Sequence, residues 1–223
     1  MVKCDIIFCN LRHVEGGLVL SKIKRVGIMG GTFDPIHYGH LVTAEAARTQ
    51  FRLDKVIFTP TGKPPHKKWY PVTPAEQRYL MTVLAVNDNP YFEVSRMEID
   101  RPGLTYTVDT LESFYKELGN DVRLFFISGA DAVLDILTWK DVDRVLSYCT
   151  FIAATRPGYP MDKLNQKISQ LKELYGREVY PMKVTGLDIS STDIRRRVKE
   201  GLSIKYLLPP SVEVFIQKNN LYR

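Results

Sequence analysis

The chain has 223 residues, 44% apolar and 25% charged, with 31 Lys and Arg against 25 Asp and Glu and a net charge of +6. That is enough for one core of six or so strands under covering helices. Three cysteines (Cys4, Cys9 and Cys149) form no CxxC and no even framework, which excludes a disulfide scaffold or a zinc finger and points to a reducing cytoplasm.

In chain order, residues 1–22 read as an N-terminal extension and residues 23–223 as a single domain. Asp5 and Glu15 interrupt the extension and no long apolar core forms, so neither an export signal nor a membrane span is read there. Two readings of it stand. One is a misassigned start site, with Glu15-Gly16-Gly17 encoded by a purine-rich, ribosome-binding-like run ahead of a start at Val19 or Leu20. The other is a genuine extension that adds an edge element. Arg25-Val26-Gly27-Ile28-Met29 is then a buried strand, 25–30, and Gly30-Gly31 turns the chain sharply. After Gly39 the apolar residues Leu41, Ala44, Ala47 and Phe51 recur at helical spacing, giving a helix over 39–51. A strand follows at 55–59. Pro60 to Pro74 holds five prolines in fifteen residues and reads as a loop able to close over a ligand.

The pattern continues with helix 74–87, strand 91–99, helix 107–118, strand 122–128, helix 130–137 and a short helix at 141–147. Strand 150–154, helix 162–175, strand 178–184, helix 191–199 and a closing helix at 209–221 complete it. Strands that alternate with helices predict a parallel, doubly wound α/β sheet. No internal repeat, low-complexity tract or second-domain linker interrupts it.

The chemistry concentrates in Gly30-Gly31-Thr32-Phe33-Asp34-Pro35-Ile36-His37-Tyr38-Gly39-His40, between the first strand and its helix. His37 and His40 face the same way at i and i+3, beside a helix N-terminus whose N–H groups suit a polyphosphate. The run is neither a Walker A loop nor a GxGxxG fingerprint, because the Lys and the third Gly are missing. Far downstream, Ile189-Ser190-Ser191-Thr192-Asp193-Ile194-Arg195 offers an N-cap at Ser191 or Thr192, an acidic first turn and a guanidinium fork for phosphate. Taken alone, that run reads equally as an ordinary capped helix with a basic face, Arg195-Arg196-Arg197.

The first run resembles the (H/T)xGH signature and the second the ISSTxxR signature of the nucleotidyltransferase superfamily. Three further segments narrow the likeness: Thr61-Gly62-Lys63-Pro64-Pro65-His66-Lys67, Thr105-Tyr106-Thr107-Val108-Asp109-Thr110-Leu111, and Gly129-Ala130-Asp131 followed by Trp139 and Lys140. With Arg156-Pro157-Gly158, they are similar to bacterial nicotinate mononucleotide adenylyltransferases over about residues 24 to 222. The resemblance implies a Rossmann-like fold and transfer of AMP from ATP to nicotinate mononucleotide, releasing pyrophosphate. It implies ATP contacts at Gly30, Gly31, Thr32, Phe33, His37, His40, Gly129, Asp131, Arg156, Ile189, Ser190, Ser191 and Arg195. His37, His40, Lys67 and Arg195 would carry catalysis.

Gly31, Lys67, Thr105, Tyr106, Trp139 and Lys140 would take the mononucleotide, with the pyridine ring stacked on Trp139 and its carboxylate on backbone N–H groups. Mg²⁺ would arrive with ATP, without protein ligands. Read from the residues alone, Asp131 can equally cap a helix, Trp139 can be core, and Lys67 can be a solvated cation beside His66 and Lys68. The cations cluster beside the phosphate motifs, and no aromatic-interleaved RNA motif is present, so neither nucleic acid nor a membrane is the expected partner. A homo-oligomer is compatible with the sequence. The competing readings are a nicotinamide-mononucleotide-preferring or pantetheine-phosphate adenylyltransferase and a non-enzymatic nucleotide- or RNA-binding module.

Overall fold

A computed structural model describes residues 9–14, 17–22, 24–64, 72–119, 121–156 and 158–223, with only the backbone for 9–14 and 17–22. Strands β1 (Cys9–Val14) and β2 (Gly17–Lys22) form an antiparallel ribbon. The remaining strands are β3 (Lys24–Gly31), β4 (Lys55–Pro60), β5 (Phe92–Val94), β6 (Val122–Gly129), β7 (Cys149–Thr155) and β8 (Val179–Lys183). They make one sheet in the order β5-β4-β3-β6-β7-β8, and every pairing is parallel. These two strands pair with each other and, among the described residues, not with the main sheet.

The helices are α1 (Tyr38–Gln50), α2 (Ala75–Val86), α3 (Met97–Asp100), α4 (Thr107–Leu118), α5 (Ala130–Leu134), α6 (Val142–Tyr148), α7 (Met161–Tyr175), α8 (Ser191–Lys199) and α9 (Pro210–Lys218). Apolar residues of α1, α2, α8 and α9 (Ala44, Met81, Ile194, Ile216) cover one face of the sheet with Met29, Phe58 and Phe125. Those of α4 to α7 (Leu111, Val133, Leu146, Leu164) cover the other with Ile28, Phe126 and Phe151. The two-sided burial is what a near-continuous apolar run such as Val26 to Met29 requires. The order reverses between β3 and β6, and in a doubly wound sheet ligands bind in the crevice outside the strand ends at that switch.

Three predicted elements differ. The strand expected over 91–99 stops at Val94; Ser95 Oγ accepts the Met97 N–H at 3.2 Å and turns the chain into α3. The helix expected over 130–137 is α5 followed by a 3₁₀ turn, Ile136–Thr138. The closing helix ends at Lys218, and Asn220 and Tyr222 take left-handed backbone that no helix continues.

Candidate active site

A cleft of about 390 Å³ opens at the switch point, lined by residues from three strand ends and two helix starts. His37, His40 and Thr43 come from the start of α1, Gly129 from the end of β6, and Thr155 and Arg156 from the end of β7. Thr185, Ile189, Ser190, Ser191 and Thr192 come from the approach to α8. Arg156 is the charged side chain of this lining, which suits an anion.

The local sequence dictates how the histidines sit. Gly31 has no room for a side chain: a Cβ there would lie 2.8 Å from the ring of Phe33. Phe33 takes left-handed backbone (φ 49°) and puts its ring edge-on to His40, 5.1 Å between centroids. It is 2% exposed, so it forms the wall behind His40 instead of a surface for ATP. His37 is the N-cap of α1 and stacks on His40 at 3.8 Å. Its backbone N–H donates to His40 Nδ1 at 3.2 Å. That bond makes Nδ1 an acceptor and leaves the proton of neutral His40 on Nε2.

Both imidazoles are neutral at pH 7. Burial, and then repulsion from Arg156, pushes His37 down to about 4. Burial lowers His40 well below the usual histidine range, with further repulsion from His37 and Arg156. Among the described residues, His37 Nδ1 is buried without a hydrogen-bond partner.

The second motif meets the first directly. Arg195 Nη1 donates to the Asp34 carbonyl at 2.7 Å, and Ser191 Oγ donates to the Pro35 carbonyl at 2.8 Å. Two stretches about 150 residues apart thus share one sheet edge. Ser190, one residue earlier than expected, is the N-cap of α8, its Oγ accepting the Asp193 N–H at 3.1 Å. Arg196 and Arg197 turn onto Asp193, each at 2.6 Å, so these two do not serve the phosphate field the basic run suggested.

The other predicted residues divide. Gly30, Gly31, Thr32 and Phe33 shape the loop beneath the cleft and are absent from its lining. Asp131 lies inside α5, whose N-cap is Gly129, and accepts a hydrogen bond from Tyr159 at 3.0 Å; helix capping is therefore not its role. Arg156 pairs with Asp188 at 3.1 Å, an exposed contact weak enough to yield to phosphate.

Among the residues expected to take the mononucleotide, Lys140 sits 4.7 Å over the Tyr106 ring and 3.7 Å from Asp109, joining the segment after α5 to the start of α4. Half-buried Trp139 packs edge-on against Phe126 and Phe151. The Thr105 N–H already donates to the Lys63 carbonyl at 3.1 Å, so it does not double as a carboxylate ligand. The nearby helix start is that of α4, at Thr107 and Val108; the Asp109 N–H already donates to the Tyr106 carbonyl at 3.1 Å. Lys67 and the neighbouring His66 lie outside the described residues.

Sequence reasoning missed Thr43, Thr155 and Thr185 in the lining. For Thr43 a signal existed, since it continues the i, i+3 spacing of His37 and His40.

The cytidylyltransferase-like family profile matches residues 28–197. A Moorella thermoacetica protein named "Probable nicotinate-nucleotide adenylyltransferase" is 62% identical over 205 residues, covering 92% of this chain and 94% of that protein. The chain belongs to the nicotinate-nucleotide adenylyltransferase family. Another member of that name, from Thermus thermophilus, is 49% identical over 89% of this chain and 100% of its own length. Among solved structures, the Plasmodium falciparum nicotinic acid mononucleotide adenylyltransferase complexed with NaAD aligns with a TM-score of 0.73 and 22% identity. It covers 89% of this chain and 97% of its own, and shares the family's fold.

Proposed function

We propose that this cleft transfers AMP from ATP to nicotinate mononucleotide, giving nicotinate adenine dinucleotide and pyrophosphate. The observation that carries the reading is the junction of the two motifs, Arg195 on Asp34 and Ser191 on Pro35, beside a stacked pair of neutral histidines. The 5′-phosphate oxygen of the mononucleotide attacks the α-phosphorus in line; the new P–O bond forms as the bond to pyrophosphate breaks. No protein nucleophile is needed, because such transfers are catalysed by positioning and charge stabilisation.

His40 is the central donor. Its Nε2–H serves a phosphate oxygen as charge builds in the transition state, and the bound anions draw its pKa back up. His37 and the N–H groups at the starts of α1 and α8 hold the remaining phosphate oxygens, with Arg195 supplying positive charge at the junction. Lys67 is assigned to the same charge field from its motif. Trp139 stacks on the pyridine ring. The first turn of α4 offers N–H groups to the nicotinate carboxylate, and donors prefer a carboxylate to a carboxamide.

Among the described residues no group of three His, Cys, Asp or Glu could hold a metal ion. In this reading Mg²⁺ enters on the triphosphate, bound by phosphate oxygens and water. We place the enzyme in the cytoplasm on its cysteine usage; among the described residues no helix is long and apolar enough to cross a membrane.

Pyrophosphate release with ATP and a panel of acceptors tests this reading. Nicotinate mononucleotide should react with kcat/KM about 100-fold above nicotinamide mononucleotide, which lacks the carboxylate, with no turnover of pantetheine phosphate. Equal kcat/KM for the two mononucleotides overturns the acceptor assignment.

A further inference from the structure

Helix α2 carries a buried stripe at residues 78, 81, 82, 85 and 86, and the first of these is an arginine. Arg78 is 1% exposed. A guanidinium so placed is costly unless its donors are met. Arg78 Nη1 donates to the Thr32 carbonyl at 2.7 Å, Nη2 to Gly62 at 3.1 Å, and Nε to Thr73 at 2.8 Å. Thr32 belongs to the loop that carries the histidines, whereas Gly62 belongs to the loop after β4. One side chain therefore ties the two loops together.

Gly62 is gripped from its other side by Glu98, 7% exposed on α3. The Glu98 carboxylate accepts the Thr110 hydroxyl at 2.8 Å, while the Thr105 hydroxyl donates to the Lys63 carbonyl at 3.3 Å. A Cβ on Gly62 would collide with the main-chain oxygen of Glu98, so only glycine fits this clamp. Thr105 in turn donates its N–H to the Lys63 carbonyl. Contacts thus run from Thr32 through Arg78 to the Gly62–Lys63 backbone, which lies against the Glu98 main chain and is held by Thr105 at the threshold of α4.

We propose that Arg78 and Glu98, acting through Gly62, are positioning residues that set the spacing between the triphosphate loop and the acceptor side. The inference rests on the adenylyl-transfer reading above and adds to it the device that aligns the two substrates. In-line transfer is sensitive to such alignment, and a displacement of about 1 Å can cost about 100-fold in rate.

The test compares Gly62→Ala, Arg78→Lys, Glu98→Ala and Glu98→Gln with the full-length chain, using ATP and nicotinate mononucleotide. Gly62→Ala and Glu98→Ala should lower kcat about 10- to 100-fold while KM for each substrate, and the Kd of ATP alone, stay within about threefold. Arg78→Lys, which cannot reach all three carbonyls, should behave likewise. Glu98→Gln keeps an acceptor for the Thr110 hydroxyl and should return kcat to within about threefold of the parent.

Unchanged kcat in Gly62→Ala and Glu98→Ala overturns the proposal. So does a loss that merely follows the melting temperature and disappears well below it, since that is a stability effect. Absence of turnover in the unsubstituted protein with every acceptor would instead overturn the parent reading, which keeps the two failures distinct.

Discussion

On the triphosphate side of the sheet edge, the groups that face the ligand and the groups that hold them come from the same two sequence runs. His37 and His40 brace each other, Phe33 backs His40, and Ser191 and Arg195 lock the loop by its carbonyls. On the acceptor side the two duties are separated. Trp139, Tyr106 and Lys140 are the residues we assign to the acceptor, while Arg78 and Glu98, on other helices, brace the nearby Gly62 loop. The first half is self-supporting. The second borrows its geometry from buried polar side chains, so substitutions there should divide into contact effects and alignment effects.

The largest expected effect tests the self-supporting half. His40→Ala removes the Nε2–H donor and the acceptor for the His37 N–H together. Steady-state kinetics should show kcat lower by about 1,000-fold, as for loss of a single donor to transition-state charge. The lost cap costs only about 1 kcal/mol, so calorimetry should still find a folded protein. Turnover within tenfold of the parent would break the comparison, because the ligand-facing group would then not be the catalytic one.

A smaller effect concerns the burial of the histidine pair. His37 is held at about 4 in the folded protein against 6.5 in the unfolded chain. Between those values the unfolded chain binds more protons, so stability falls as the pH drops through this window and is whole above 6.5. The shift corresponds to about 3 kcal/mol at the low end of the window. Urea unfolding at neutral and mildly acidic pH should show that loss, and His37→Asn, which still caps α1, should show less of it. Histidine NMR of the free protein should find two imidazoles, His37 and His40, still neutral at pH 6. Titration of both near 6.5 would mean that the pair is solvated and not preorganised.

What could be read in the chain follows the same division. The doubly wound sheet was legible because Arg25–Met29, Lys55–Phe58 and Phe125–Ile127 are apolar runs between helical patterns, and buried parallel strands need such runs. The motif residues that meet at the cleft were legible because glycine turns, helix starts and histidines are local in sequence. Arg78 and Glu98 were not, because a buried polar side chain declares itself only through its partners, 5, 16 and 46 residues away for Arg78 and 12 for the Thr110 bond of Glu98. An arginine on the apolar stripe of α2 was the available signal. Strand 91–99 failed for a related reason: Ser95 and the burial of Glu98 override an extended-looking run.

Trp139 gives the smallest effect and the sharpest separation of contact from alignment. Its indole is half-buried, with its edge against Phe126 and Phe151, so it can serve both packing and stacking. If it stacks on the pyridine ring, Trp139→Ala should raise KM for nicotinate mononucleotide about tenfold, since base-on-aromatic stacking is worth about 1–3 kcal/mol. KM for ATP should not move, because Trp139 lies outside the lining of the triphosphate cleft. Trp139→Phe retains an aromatic face and much of the packing, and should recover most of the acceptor affinity. A packing role alone predicts a different pattern: both variants lower the melting temperature according to the volume removed, and neither KM changes. Alignment variants such as Gly62→Ala act on kcat at constant KM, so a Trp139→Ala enzyme that lost kcat instead would move this residue from the contact class to the alignment class.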